Sequence, residues 1–128
     1  MQATVRTGGC LCGAVRYSVR GEPVHVGRCH CADCRKESGS AFTVYGQWPV
    51  DACEITGEVS SYEGRGFCGR CGSPIFGRGD AYAGLTFIKA GTLDDPSWVQ
   101  PALHIWCAEK QPWVVIEEDV QQVPGNPG

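Results

Sequence analysis

Residues 8–20 read GGCLCGAVRYSVR and combine a strand pattern with a pair of closely spaced cysteines. The second half, residues 14–20, alternates apolar and polar side chains, which is typical of a half-buried β-strand. The first half holds Cys10 and Cys12 in a Cys-x-Cys pair. Because alternate residues of a strand project from one face, such a pair can present two sulfurs to one ion. The segment therefore predicts a β-strand beside a metal-binding pair of thiols.

The remainder of the chain favours short strands over helices. Residues 42–48, 59–63 and 85–90 alternate in the same way, though less regularly. Glycine (18 residues) and proline (8 residues) are spread along the sequence, which suits many strands joined by turns. One short helical turn is predicted over 32–38, ending at Gly39. With 128 residues, we predict one all-β domain over 1–123 and a flexible tail over 124–128.

Charge and hydropathy exclude several classes of function. A net charge of −3 argues against a general binder of nucleic acid or anionic membranes, since both need a cationic face. No apolar run approaches the roughly 20 residues that cross a bilayer, and the first residues lack the apolar region of a secretory signal. We therefore expect a cytoplasmic protein. In that reducing compartment nine cysteines, an odd number, indicate metal or thiol chemistry and not a disulfide framework.

The cysteines form three clusters and two single positions. The clusters are Cys10 with Cys12, Cys29 with Cys31 and Cys34, and Cys68 with Cys71, while Cys53 and Cys107 stand alone. Tetrahedral thiolate sites select zinc or iron, and zinc is the default where nothing indicates redox work. Seven clustered thiols divide into a closed site of four and an open site of three, and an open position is typical of a catalytic or substrate-binding zinc. Spacing alone leaves open which clusters join.

Four segments in order carry a resemblance to a known family. They are GGCLCGAVRY (8–17), RCHCADCRKESG (28–39), GFCGRCGSPIF (66–76) and HIWCAEKQPW (104–113). Together they resemble the successive signatures of the glutathione-dependent formaldehyde-activating family. The resemblance implies a β-tent fold, also found in a Rab-binding chaperone, in which small antiparallel sheets are joined at a structural zinc.

The same resemblance implies the ligand sets. Cys10, Cys12, Cys68 and Cys71 would hold the structural zinc, and Cys29, Cys31 and Cys34 would form a second, catalytic cluster with a labile zinc. The implied function is that of a carbon–sulfur lyase whose partners are a thiol such as glutathione and a small aldehyde. Two alternatives remain at this point: a thiol carrier that accelerates no step, and a zinc-stabilised interaction module.

Single residues near the second cluster admit more than one interpretation. Arg35 could pair with a carboxylate of glutathione, as could Arg28 or Lys36, although solvated surface charges are the simpler interpretation. His30 lies between two cysteines and is either an acid–base group or a packed histidine. Cys53 and Cys107 are most simply small buried residues; otherwise one of them would close the second site as a fourth ligand.

Overall fold

The computed structural model describes residues 4–79 and 82–126, which form eleven strands and one α-helix. The elements are β1 (Val5–Gly9), β2 (Arg16–Arg20), β3 (His25–Cys29), α1 (Ala32–Ser38), β4 (Thr43–Pro49), β5 (Cys53–Thr56), β6 (Val59–Tyr62), β7 (Arg65–Cys68), β8 (Pro74–Gly77), β9 (Leu85–Lys89), β10 (Leu103–Ile105) and β11 (Gln121–Gln122). In the described ranges no helix has the length and apolar character that crossing a membrane requires.

The strands form two sheets. The smaller sheet has the antiparallel order β1-β2-β5, and the larger has eight strands in the order β11-β10-β3-β4-β9-β8-β7-β6. The prediction of an all-β fold with one short helical turn is confirmed. The larger sheet is more extensive than the expected small antiparallel sheets, and β10 runs parallel to both β3 and β11. Because a long connection, and not a hairpin, brings the chain back to β10, antiparallel pairing is not imposed there.

The main core lies between the two sheets. Tyr17 and Val19 of β2 are buried and pack in one cluster with Trp48, Ile75 and Ile88 of the larger sheet. The alternation predicted over 14–20 therefore has its apolar face on this core. Cys10 and Cys68 belong to the same packed group. The region where these two cysteines lie is therefore continuous with the core.

A second, smaller group of buried residues lies on the opposite face of the larger sheet. Tyr45 and Trp48 of β4 are an odd number of residues apart, so their side chains project from opposite faces of the strand. They accordingly belong to different buried clusters. Cys29, Tyr45 and Ile105 form the second cluster, against which Cys31 and Cys34 pack. The central strand β4 is thus covered on both faces, and the three-cysteine segment lies over the face away from the main core.

The local predictions agree closely with the observed elements. The helix spans Ala32–Ser38 and ends at Gly39, whose φ of 67° is in the left-handed region that glycine adopts without strain. The segments expected over 42–48, 59–63 and 85–90 are strands shifted or shortened by a residue. The flexible tail over 124–128 stays a prediction; of its described residues, Pro124 and Gly125 accept backbone hydrogen bonds from Ala108 and Trp106.

Candidate metal centres

Four cysteines meet where the two sheets adjoin. Cys10 and Cys12 lie just after β1 of the smaller sheet, while Cys68 ends β7 of the larger sheet and Cys71 lies in the turn beyond it. Their sulfurs are all within 4.8 Å of one another. The Cys10 and Cys12 sulfurs are 3.6 Å apart, and those of Cys12 and Cys68 are 3.7 Å apart. Sulfurs at the corners of a tetrahedral zinc site lie about 3.8 Å apart, given the usual Zn–S distance.

Hydrogen-bond donors around this four-cysteine cluster favour the thiolate form that a metal requires. The Val15 N–H donates to the Cys10 sulfur at 3.2 Å, which lowers the pKa of that thiol. The Ser73 hydroxyl lies 3.2 Å from the Cys71 sulfur and is the main reason that the pKa of Cys71 falls to about 5. The N–H of Arg70 donates to Cys68. Spacing, donors and the soft ligand set together fit zinc.

The remaining three clustered cysteines gather at the junction of β3 and α1. Cys29 ends β3, Cys31 is the N-cap of the helix, and Cys34 lies in its first turn. Their sulfurs also lie within 4.8 Å of one another, with 3.5 Å between Cys29 and Cys31. The Cys34 N–H donates to the Cys31 sulfur at 3.3 Å, so the cap of the helix also fixes the position of the middle sulfur.

Hydrogen bonding within the three-cysteine cluster favours the thiolate form of Cys31. Hydrogen bonds from Cys29 and Cys34 lower the pKa of the Cys31 thiol to about 2. The hydrogen bonds that Cys29 makes with Cys31 and Cys34 are the main cause of the strongly raised pKa of the Cys29 thiol. A thiolate shared between two thiols is a preformed site for a soft cation, since binding displaces the two remaining protons.

The three-cysteine cluster has no fourth protein ligand among the described residues. The groups of side chains that could hold a metal contain neither Cys53 nor Cys107. Cys53 packs against the main core, and the Cys107 thiol donates to the carbonyl of His104 at 3.5 Å. Both side chains are partly buried, which is close to the prediction that they are small buried residues. The donor set of this cluster therefore fits a zinc with one open coordination position.

The family of the chain follows from its agreement with known sequences. The sequence profile of the glutathione-dependent formaldehyde-activating enzymes matches residues 5–109, which include both cysteine clusters. The chain belongs to this family. A Penicillium rubens protein provisionally named as a glutathione-dependent formaldehyde-activating enzyme is 29% identical over 103 residues, covering 72% of this chain and 54% of that protein. A Talaromyces marneffei protein with the same provisional name is 27% identical, covering 72% and 55%.

The four motifs predicted a resemblance to the glutathione-dependent formaldehyde-activating family, and this prediction is confirmed. The chain spans about half the length of the curated relatives that it matches. A crystal structure of a Rhodobacter sphaeroides protein has a similar fold, with a TM-score of 0.56 and 18% identity over 74% of this chain and 91% of that one. That similarity concerns the fold alone.

Of the three cations beside the second cluster, one is already engaged. Arg28 forms an ion pair with Glu117 at 3.3 Å, on the far side of β3 from Cys29. Arg35 and Lys36 have no carboxylate within ion-pair distance among the described residues. The buried Nε of Arg35 also lacks a hydrogen-bond partner there. Arg35 therefore has donors available for a ligand, while its role stays a prediction.

A row of hydrogen-bonded, buried side chains lies beside the three-cysteine cluster, and it was not predicted from the sequence. His30 is fully buried, and its Nε2 lies 2.9 Å from Nδ1 of His104, which is equally buried. Arg28 Nη1 lies 3.1 Å from His104 Nε2 and can only donate. His104 therefore donates from Nδ1 to His30. Burial lowers the pKa of both histidines, that of His30 to about 4, so both rings are neutral. His30 is a packed histidine that anchors the cysteine segment to β10.

A lysine completes the surroundings of the second cluster. Lys89 Nζ forms a largely buried ion pair with Glu37 of α1 at 2.6 Å and lies 3.4 Å from the Thr43 hydroxyl. No sequence pattern indicates this pair, because Lys89 follows the alternation of β9 and lies 52 residues from Glu37. The pair fixes α1, and with it Cys34, against β4 and β9.

Proposed function

We propose that the chain catalyses formation and cleavage of the bond between the sulfur of a thiol such as glutathione and the carbon of formaldehyde. The observation that supports this most directly is the three-cysteine cluster with no fourth ligand among the described residues. A closed four-cysteine site alone would suffice for a structural platform. The second cluster, continuous with a buried apolar group, is a feature that a platform does not need.

The two clusters would hold zinc in different roles. The four-cysteine cluster would hold a structural zinc that joins the sheets. A zinc held by the three thiolates of the second cluster would leave one position open for an incoming thiol and would help to remove the proton of that thiol near neutral pH. Cys29, Cys31 and Cys34 are the protein groups that would define this position.

The reaction needs no redox partner. The thiol sulfur forms a bond to the aldehyde carbon, the carbonyl π bond breaks, and the oxygen takes up the proton that the thiol lost. The contribution of the chain is to hold both reactants in contact and to exclude water from one side. The Lys89–Glu37 pair and the N-cap of α1 keep the cysteines in place during this exchange.

Arg35 is the residue that we propose for binding a carboxylate of the thiol. Replacing it with alanine is expected to raise the KM for glutathione about tenfold. This corresponds to the lower end of the free-energy range for a hydrogen bond to a charged group, because Arg35 is only partly buried. The kcat should change little, because a contact far from the reacting atoms contributes uniform binding. Steady-state kinetics at varied glutathione would measure both constants.

The control for this variant is Arg70→Ala, which removes an exposed arginine at the four-cysteine cluster. It should leave both constants unchanged. A KM for Arg35→Ala equal to that of the unaltered chain would show that this guanidinium does not bind the thiol.

The two zinc ions are expected to differ in lability. A zinc with an open position should leave first under mild chelation, since the closed cluster is part of the core. Titration with a chelator, followed by metal analysis and far-ultraviolet circular dichroism, should show one equivalent lost before any unfolding. Simultaneous loss of both equivalents together with the fold would contradict this assignment of the two sites.

NMR exchange spectroscopy tests the proposed activity directly. The exchange rate between formaldehyde plus glutathione and S-hydroxymethylglutathione is measured with and without zinc-loaded protein, because the uncatalysed reaction already proceeds. Acceleration in proportion to protein concentration is expected. An unaltered rate would exclude this chemistry; glutathione binding without acceleration would then indicate a carrier, and no binding would indicate another thiol or an interaction module.

A further inference from the structure

A cavity of about 380 Å³ opens on the larger sheet, on the face that carries the three-cysteine cluster. Its apolar wall is formed by Leu85 of β9, Leu103 of β10, Val123 and the ring of Tyr82. A cavity of this volume and lining is at the lower end of the range that binds small organic ligands. The proposed binding of the thiol and of formaldehyde involves none of these lining residues.

The polar groups of this cavity are neutral. They are the amides of Gln47 and Gln121 and the imidazole of His25, whose pKa is lowered by burial. Gln47 is only 4% exposed, and its side chain forms no hydrogen bond with any residue that the structure describes. Because Gln47 lines the cavity, its amide offers donors and an acceptor that a ligand there can use.

The cavity and the three-cysteine cluster lie on one face of the larger sheet and are linked by neighbouring residues, although none of the three cysteines is among the described lining residues. Leu103 pairs with Gly27 in the sheet, and Gly27 precedes Cys29 by two residues on the same face of β3. Two residues of strand span roughly 7 Å. Leu103 and Val123 also pack in the same apolar group as the three cysteines. An aldehyde whose carbonyl carbon reached the cluster would therefore have its substituent at this wall.

The absence of a side chain at Gly27 shapes the region between cluster and cavity. A Cβ there would lie 2.8 Å from the Tyr45 hydroxyl and 2.9 Å from the Leu103 carbonyl oxygen, so only glycine lets the Tyr45 ring cross β3. The Tyr45 hydroxyl then lies 2.9 Å from His25 Nε2. The Tyr45 ring, which is only 1% exposed and is not among the described lining residues, thus lies over Gly27, between the positions of Cys29 and His25.

The two reactants of the proposed function differ in how well they fit this cavity. Glutathione carries carboxylates, and the lining residues that the structure describes include no lysine or arginine to pair with them. Formaldehyde, with one carbon and one oxygen, leaves most of the volume unfilled. An uncharged aldehyde with an apolar substituent matches both the apolar wall and the neutral amide of Gln47.

We propose that this cavity receives the aromatic or branched apolar substituent of an aldehyde larger than formaldehyde, whose carbonyl carbon reacts at the three-cysteine cluster. The proposal rests on the proposed function. The bond changes are the same: a carbon–sulfur bond forms, the carbonyl π bond breaks, and the oxygen takes the proton released by the thiol. The product is a hemithioacetal that bears the substituent, and no electrons are gained or lost.

Two measurements test the proposal on the zinc-loaded chain. Saturation-transfer difference NMR with benzyl alcohol, an unreactive analogue of benzaldehyde, reports binding without chemistry. Exchange spectroscopy then compares benzaldehyde with formaldehyde, each with glutathione. Leu85→Trp and Val123→Trp fill the cavity from two sides, while Val24→Trp adds the same bulk at an exposed position outside the lining.

The expected result is saturation transfer to benzyl alcohol in the unaltered chain and in Val24→Trp, and its loss in both filling variants. The ratio of the accelerated benzaldehyde rate to the accelerated formaldehyde rate should fall at least tenfold in the filling variants. No saturation transfer, or acceleration of formaldehyde alone, overturns this proposal and leaves the proposed function standing. Acceleration of neither aldehyde overturns the proposed function and, with it, this role of the cavity, even where benzyl alcohol binds.

Discussion

Replacing Cys68 with serine is expected to release the metal from the four-cysteine cluster and to prevent stable folding. Cys68 is fully buried, ends β7, and has its sulfur 3.7 Å from that of Cys12, so it links the larger sheet to the segment that follows β1. A structural zinc contributes on the order of 10 kcal/mol of apparent binding free energy. That is comparable to the whole free energy of unfolding of a small domain, about 5–15 kcal/mol.

The measurement is zinc content per chain together with the solubility and far-ultraviolet spectrum of the variant. Cys53→Ser is the matched control, because Cys53 packs partly buried against the same core but lies outside both clusters. The control should fold and keep its metal. A Cys68→Ser protein that folds normally and retains full zinc would show that the four-cysteine cluster is not the structural site.

Local features of the fold were predictable because they depend on neighbouring residues. The end of the helix Ala32–Ser38 follows from Gly39, which the sequence shows, whereas its N-cap at Cys31 is a finding of the structure. The strand Arg16–Arg20 follows from its alternation. The extent of the larger sheet was not predictable, since the parallel pairing of β10 with β3 joins residues about 76 positions apart and no local pattern encodes it.

The candidate site was predictable in its ligands and not in its surroundings. Cysteine spacing identified the three groups of clustered thiols, and the family resemblance, not the spacing, indicated which of them join into each site. Lys89 and Gln47 have no such signal, because a single polar residue in a strand does not identify the residue that it faces on another element. Their proximity to the second cluster is a consequence of strand order, which brings β10, β3, β4 and β9 side by side.

Replacing Cys31 with serine is expected to reduce thiol–formaldehyde exchange to the uncatalysed rate while the chain remains folded. The Cys31 sulfur is the middle ligand of the second cluster, 3.5 Å from Cys29, and the four-cysteine cluster does not include it. Serine is among the best N-cap residues, so its hydroxyl can accept the Cys34 N–H in place of the sulfur and the helix should persist. A hydroxyl remains protonated at neutral pH, however, and is a poor ligand for zinc in place of a thiolate.

The matched control is Cys107→Ser, which replaces a half-buried thiol in the same part of the fold but outside the cluster. Exchange spectroscopy with formaldehyde and glutathione would be run on both variants and on the unaltered chain, with far-ultraviolet circular dichroism and metal analysis alongside. The control should accelerate exchange normally and hold two zinc equivalents, whereas Cys31→Ser should hold one. If Cys31→Ser keeps full activity and both equivalents, the three-cysteine cluster is not where the thiol binds, and the reaction proposed for this chain would have to take place elsewhere.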